Sequence, residues 1–210
     1  MHLITVVAFA ACFIPFRSTA GQQFGLGGAV AAVRLSRETP VDSAQFTGTT
    51  IGFEGRVSIE SWLDLAVRYS QGRLTSESAE PGQDLVEGEV MVWFRLLREM
   101  ALLVGPHVRS LVSATGTERW LFLEVRLHGE ARLLGPVRGY LDGWRVLAAD
   151  VNVGVPFDNG YGIDGGLIIS ASGFPLSFTV RYRAERARLG NGARLETIER
   201  LALVVGFERP

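Results

Sequence analysis

From Gly21 onward the chain alternates apolar and polar positions with a period of two. Ile51, Phe53, Val57 and Ile59 alternate with Glu54, Arg56, Ser58 and Glu60. Val86, Val90, Val92, Phe94 and Leu96 alternate with Glu87, Glu89, Trp93 and Arg95. The same phase runs through Leu121, Leu123, Val125 and Leu127 against Glu124, Arg126, His128 and Glu130, and through Phe178, Val180 and Tyr182 against Thr179, Arg181, Arg183 and Glu185. Successive side chains of a strand point to opposite faces, so each segment predicts a strand with one apolar and one polar side. No stretch after residue 21 sustains the i, i+3, i+4, i+7 stripe of an amphipathic helix. The chain reads as all-β.

Breaks at Gly, Pro, Asp and Asn clusters divide it into about ten strands, at roughly 24–35, 45–57, 62–74, 85–97, 101–112, 119–133, 137–153, 161–172, 176–188 and 196–208. Eight or twelve strands are the alternatives if the weak first strand or the long 137–153 segment is divided differently. Most are about double the 5–6 residues usual in soluble sheets. The connections alternate. Those near Ser58–Ser61, Leu97–Met100, Leu134–Pro136 and Ser172–Pro175 are tight. Those at Ser36–Ala44, Thr75–Asp84, Ser113–Glu118, Pro156–Gly160 and Leu189–Leu195 are longer and polar. Long strands with short turns at one end and polar loops at the other predict a closed antiparallel up-and-down transmembrane β-barrel. Period two alone also fits a soluble exported lipid-binding barrel with the faces exchanged. The apolar face is nearly free of charge over whole strands, Arg145 excepted, and a lipid-facing band about 25 Å tall needs strands this long.

Residues 1–20 are a different kind of text. An apolar run from Leu3 to Ile14 ends at Pro15 and is followed by Ser18-Thr19-Ala20, which predicts a signal peptide cut after Ala20 and a barrel domain over 21–210. The run is shorter than the roughly 20 residues a membrane-spanning helix needs. The n-region carries His2 but no Lys or Arg. Cys12, the single cysteine, lies inside this run, so after such a cut no disulfide or thiolate metal site remains.

Composition then narrows function. The net charge is −1 and all 21 basic residues are arginine, so no basic surplus argues for a nucleic-acid partner. The polar face supplies candidate lumen residues of both signs. These are Glu87, Glu89, Arg95, His107, Arg109, Glu124, Arg126, His128, Glu130, Arg181 and Arg183, with Glu54, Arg56, Asp64, Arg68, Arg138, Asp142, Asp150, Asp164 and Glu185. Near-balanced charge predicts a paired, largely plugged interior, because a buried charge without a partner is costly. No Ser-His-acid or paired-Asp motif singles out a catalytic residue, although His107 and His128 beside carboxylates leave a hydrolase reading open. Gly25-Leu26-Gly27-Gly28 and Gly190-Asn191-Gly192 precede no helix and read as backbone devices, and Asp158-Asn159-Gly160 as a turn rather than a metal site. No cofactor or metal is expected. Trp62, Trp120, Trp144 and Tyr161 fall near expected strand ends and are read as membrane-interface aromatics.

The signal-like start, the period-two strands and the closing segment Leu201-Ala202-Leu203-Val204-Val205-Gly206-Phe207 together resemble the small outer-membrane β-barrel proteins of Gram-negative bacteria. The resemblance covers essentially the whole mature chain. It implies residence in the outer membrane, contact with its lipids and lipopolysaccharide, and recognition by the barrel-assembly machinery of a last strand ending at Phe207. In that family the terminal residue is typically aromatic, whereas Glu208-Arg209-Pro210 follow Phe207 here. The role it implies is a non-enzymatic, porin-like barrel, structural or narrow-pored, with a protease or lipid A modifying enzyme as the alternative.

Overall fold

A computed structural model describes residues 24–76, 81–171 and 173–209. The expected signal peptide and Cys12 lie outside the described residues. Ten strands follow one another: β1 (Phe24–Glu38), β2 (Ser43–Glu60), β3 (Leu63–Ser76), β4 (Gln83–Leu97), β5 (Met100–Ser113), β6 (Gly116–Leu134), β7 (Val137–Val151), β8 (Phe157–Ser170), β9 (Leu176–Leu189) and β10 (Arg194–Arg209). Each pairs antiparallel with its sequence neighbours, and β10 closes the sheet against β1.

The stagger of the closed sheet follows from its register. Crossing perpendicular to the strands from Phe24, the partners are Val57, Leu65, Val92, Val104, Val125, Arg145, Tyr161, Arg186 and Thr197. The circuit re-enters β1 at Ser36, twelve residues beyond its start. Ten strands with that stagger tilt by roughly 40° to the barrel axis, and each step in this direction climbs about 3 Å along it.

The polarity of the two faces changes along the axis. Over the half that carries the four tight turns and both ends of the chain, the outward side chains are predominantly apolar, with Gln71 on β3 and Arg145 on β7 as polar exceptions towards its upper edge. The apolar ones include Leu26 and Val30 on β1, Ile51 and Phe53 on β2, Val90 on β4, Leu123 and Leu127 on β6, Leu167 on β8, Val180 on β9, and Leu203 and Val205 on β10, all exposed. The inward partners there are ionic. Towards the loop end the assignment inverts. Arg34, Arg73, Asp84, Arg119, Arg186 and Arg188 now point outward and are exposed. Val33, Leu35, Phe46, Leu74, Leu85, Leu111, Trp120, Phe122, Ala187, Leu189 and Ile198 point inward and are buried. The inversion lies about 23 Å above the level of Phe24, close to the 25 Å height of a lipid-facing band.

Several sequence expectations are corrected by this inversion. Trp120 and Trp144 are not surface aromatics: both rings point into the barrel, with 0% and 5% exposure. Where polar residues cover the outside, the interior is the apolar side, and Trp120 packs there against Phe122. Trp144 lies mid-strand and fills the space above Gly162, where an added Cβ would sit 2.2 Å from the indole. Trp62 and Tyr161 do face outward. Asp150 faces outward rather than into the lumen, because β7 holds an extra residue opposite Leu123–Glu124 and the alternation changes phase. The loop-end connections are also shorter than composition suggested, Thr39–Asp42 between β1 and β2 for example, because the strands continue past the inversion. In the β9–β10 link, Gly190, Asn191 and Gly192 all adopt positive φ, as their composition predicts.

Replacing Gly162 with Val forces Trp144 out of its place. Overpacking of this kind costs about 1–3 kcal/mol. The expected result is a lower urea midpoint for the refolded barrel in detergent, while Gly143→Ala, where an added Cβ meets nothing within 4 Å, leaves the midpoint unchanged.

Candidate functional site

The interior is layered. At the loop-end rim, Arg37 and Arg194 face Glu118 and Glu196: Arg37 donates to Glu118 at 2.8 Å and to Glu196 at 2.9 Å, and Arg194 to Glu118 at 2.6 Å and also to Glu196. Beneath this square lies the apolar plug. Leu35, Leu74, Leu85, Trp120 and Leu189 within it have no measurable exposure.

Under the plug is the ionic layer, built mainly from β4, β5, β6, β9 and β10. Arg109 donates to Glu87 at 2.7 Å and to Glu185 at 2.5 Å. Arg126 donates to Glu124 at 2.5 Å and to Glu89. Arg183 donates to Glu89 at 3.1 Å and to Glu185 at 3.3 Å, and Arg200 pairs with Glu87. Four carboxylates are therefore matched by four guanidiniums. His107 sits between them, with Nδ1 2.8 Å from Glu124 and Nε2 3.5 Å from Glu87. Trp144 is stacked between cations, its ring centroid 4.8 Å from the Arg126 guanidinium carbon and 4.5 Å from that of Arg183. Charges removed from water to this extent persist when paired, and each of the four carboxylates has a guanidinium partner, although Arg183 Nε and Arg200 Nε and Nη2 are buried without a hydrogen bond.

Nearest the turn end, a cavity of about 840 Å³ opens between the tight turns. Its wall carries Arg56, Arg95, His128, Glu130, Arg138, Tyr140, Asp142 and Arg181. Arg95 donates to Asp64 at 2.8 Å, Arg138 to Glu130 at 2.8 Å, and Arg181 to Glu54 at 2.9 Å. Arg56, also paired to Asp64, lies 4.0 Å over the Trp93 ring. His128 Nδ1 donates to Asp142 at 2.6 Å, and its ring contacts Trp93 and Tyr140.

Of the twenty candidate lumen residues, all but Asp150 enter this interior network. Arg200 and the rim square of Arg37, Glu118, Arg194 and Glu196 were absent from the sequence reading. Arg200 was recoverable, since it shares the parity of Ala202 and Val204 and is opposite to Leu201, Leu203 and Val205. Among the described residues, His128 contacts Asp142, Glu130, Trp93 and Tyr140. Glu89, His107 and Glu124 bring three ligand atoms within 4.8 Å of one another. Arg126 bridges both carboxylates, and Arg68 and Arg183 reach Glu89 as well. These guanidiniums compensate the charge of the two carboxylates.

With this geometry the chain is similar to two solved barrels. One is the outer membrane protease OmpT from Escherichia coli, with a TM-score of 0.60 at 6% identity over 89% of this chain and 95% of that one. The fold is that of an outer-membrane β-barrel. The other is the translocator domain of the autotransporter NalP from Neisseria meningitidis, with a TM-score of 0.53 at 11% identity over 91% of this chain and 90% of that one. No protein-family model and no curated protein matches the chain. At these identities the likeness extends to architecture alone.

Removing one member of the ionic layer unbalances its buried charge. Arg109→Met takes the shortest donor from both Glu87 and Glu185, leaving Glu87 to Arg200 and His107 and Glu185 to Arg183 at 3.3 Å, and breaking a buried pair on one side costs about 3–5 kcal/mol. Urea unfolding of the refolded protein should show that loss, and the double variant Arg109→Met/Glu185→Gln should recover part of it.

Proposed function

We propose that this chain is an outer-membrane β-barrel with a closed lumen, serving as a non-conducting structural element rather than as a channel or an enzyme. The apolar plug carries this reading. Pores are lined by polar groups that replace an ion's hydration shell, whereas here a dry layer of Leu35, Leu74, Leu85, Leu111, Trp120, Phe122 and Leu189 fills the lumen. In the ionic layer beneath it every carboxylate has a guanidinium partner, leaving no unpaired ring of one sign to select a solute.

The outward apolar belt supports the membrane, since a soluble lipid-binding barrel would enclose those side chains and expose its ionic face. Closure supports it too: hydrocarbon offers no partner for edge N–H and C=O groups, and β10 on β1 leaves no edge. Export through residues 1–20 belongs to the same reading, as does recognition of β10 by the assembly machinery. The ring of Phe207, exposed at the turn end of β10, supports the latter. The turn end would then face the periplasm, and the 840 Å³ cavity would be a blind vestibule on that side.

Fractionation and planar-bilayer recording test this reading together. The expected outcome is recovery in the outer-membrane fraction, heat-modifiable gel mobility, and no conductance steps from the wild-type chain. Combined Trp120→Ala and Leu35→Ala substitution should introduce small steps by thinning the plug. Stable steps from the wild type would contradict the closed lumen.

A further inference from the structure

One stretch of the outer wall carries cations without partners. Arg145 on β7, Tyr161 on β8 and Arg186 on β9 are directly opposite one another across three adjacent strands, and all point outward. Adjacent strands are about 4.8 Å apart, so the two arginine backbones lie roughly 10 Å from each other with the phenol between them. Arg188 follows two residues further on the same face of β9. Of the other outward arginines, Arg34 lies 3.9 Å from Glu199 and Arg73 3.9 Å from Asp84, while Arg119 on β6, nearer the loop end, also lacks a side-chain partner among the described residues. Among the described residues, Arg145, Arg186 and Arg188 have no ion pair and no side-chain hydrogen bond.

The surrounding residues do not supply the missing charge. The other neighbour of Arg145 is Val125, with Leu123 and Leu127 beside it on β6. Arg186 faces Thr197 on β10. Glu199, diagonal to Arg186, already accepts from the Tyr182 hydroxyl at 2.7 Å and pairs with Arg34. Asp158 accepts from the Gly192 amide at 3.2 Å. Asp150 is five residues further along β7, roughly 16 Å away at the usual strand rise.

Height decides what the cluster meets. With a climb of about 3 Å per strand, Arg145 lies about 18 Å and Arg186 about 24 Å above the level of Phe24. The three arginines therefore straddle the upper edge of the apolar belt, where Leu147 and Leu121 are the last outward aliphatics on β7 and β6. An unpaired guanidinium at that depth is unfavourable against acyl chains and favourable against an anion held at the headgroup level. Guanidinium binds phosphate through two parallel N–H···O bonds, and an interfacial tyrosine adds a hydroxyl to the same group.

We propose that Arg145, Tyr161, Arg186 and Arg188 form an outward-facing site for the phosphate of a phosphorylated glycolipid headgroup in the outer leaflet. The site rests on the membrane reading above and adds to it the partner and the face of contact. Its occupant is a lipid rather than free phosphate, because Arg145 sits below the belt's edge, where only a headgroup anchored by acyl chains reaches it.

The test uses the full chain refolded in detergent, with lipid A bearing its phosphates and lipid A stripped of them as probes, and binding read by native mass spectrometry. The wild type should retain phosphorylated lipid A and lose it as salt rises. The triple variant Arg145→Gln/Arg186→Gln/Arg188→Gln should bind it at least tenfold more weakly, and Arg73→Gln, on the far side, as well as the wild type does. Millimolar inorganic phosphate should not displace the lipid. Equal retention by wild type and triple variant, equal retention of the two lipids, or displacement by inorganic phosphate each overturns the site. A wild type that never acquires heat-modifiable mobility in vesicles would instead overturn the membrane reading, so the two failures are separable.

Discussion

Every outward side chain of a β-barrel must suit the medium against it, and in this chain that medium changes partway up the wall. From the level of Phe24 to about 23 Å above it the outside is predominantly aliphatic, Arg145 excepted, and the inside ionic; beyond that the outside is mostly ionic and the inside aliphatic up to the rim square. The backbone continues through this line without interruption, since the ladder is indifferent to what its side chains face. Leucine and arginine simply exchange sides. On β9, Val180 and Tyr182 precede Arg186 and Arg188 on the outer face, while Arg181 and Arg183 precede Ala187 and Leu189 on the inner one.

The interior follows from that exchange. Below the line the lumen has to bury charge, so it needs opposite charges in equal number within mutual reach, which the four carboxylates and four guanidiniums around His107 provide. Above it the lumen behaves as the core of a soluble barrel and excludes water by packing, with Trp120 and Phe122 as its largest members. The boundary between the two inner layers is bridged by contacts of mixed character, such as Arg109 5.7 Å over the Phe122 ring. A lumen built in this way is blocked by the same side chains that stabilise it.

Much of this architecture was legible in the chain because period two is a strong signal in strands this long. Strand number, closure and the inward direction of Glu87, Glu89, Glu124 and Arg126 follow from it. The layering did not, because alternation reports parity and not the medium on each side. Leu35, Leu85 and Leu111 have the same parity as the ionic residues of their strands, yet were grouped with no face. Residue type and proximity to strand ends point Trp120 and Trp144 to the membrane interface, whereas parity alone places both with Glu124 and Asp142 inside. Asp150 needed the extra residue in β7, which leaves no mark in composition. The lipid-edge arginines are visible only in register, since Arg145, Tyr161 and Arg186 are far apart in sequence.

The inversion is tested most directly by spin labels placed along one outward row of β9. Single cysteines at Val180, Ala184 and Arg188, in a background with Cys12 replaced by Ser, would be labelled with a nitroxide and the protein reconstituted in lipid vesicles. Collision with oxygen should dominate at Val180 and collision with a water-soluble nickel chelate at Arg188, with the crossover near Ala184. Nickel-dominated relaxation at Val180, or oxygen-dominated relaxation at Arg188, would contradict the change of medium from which the layered interior follows.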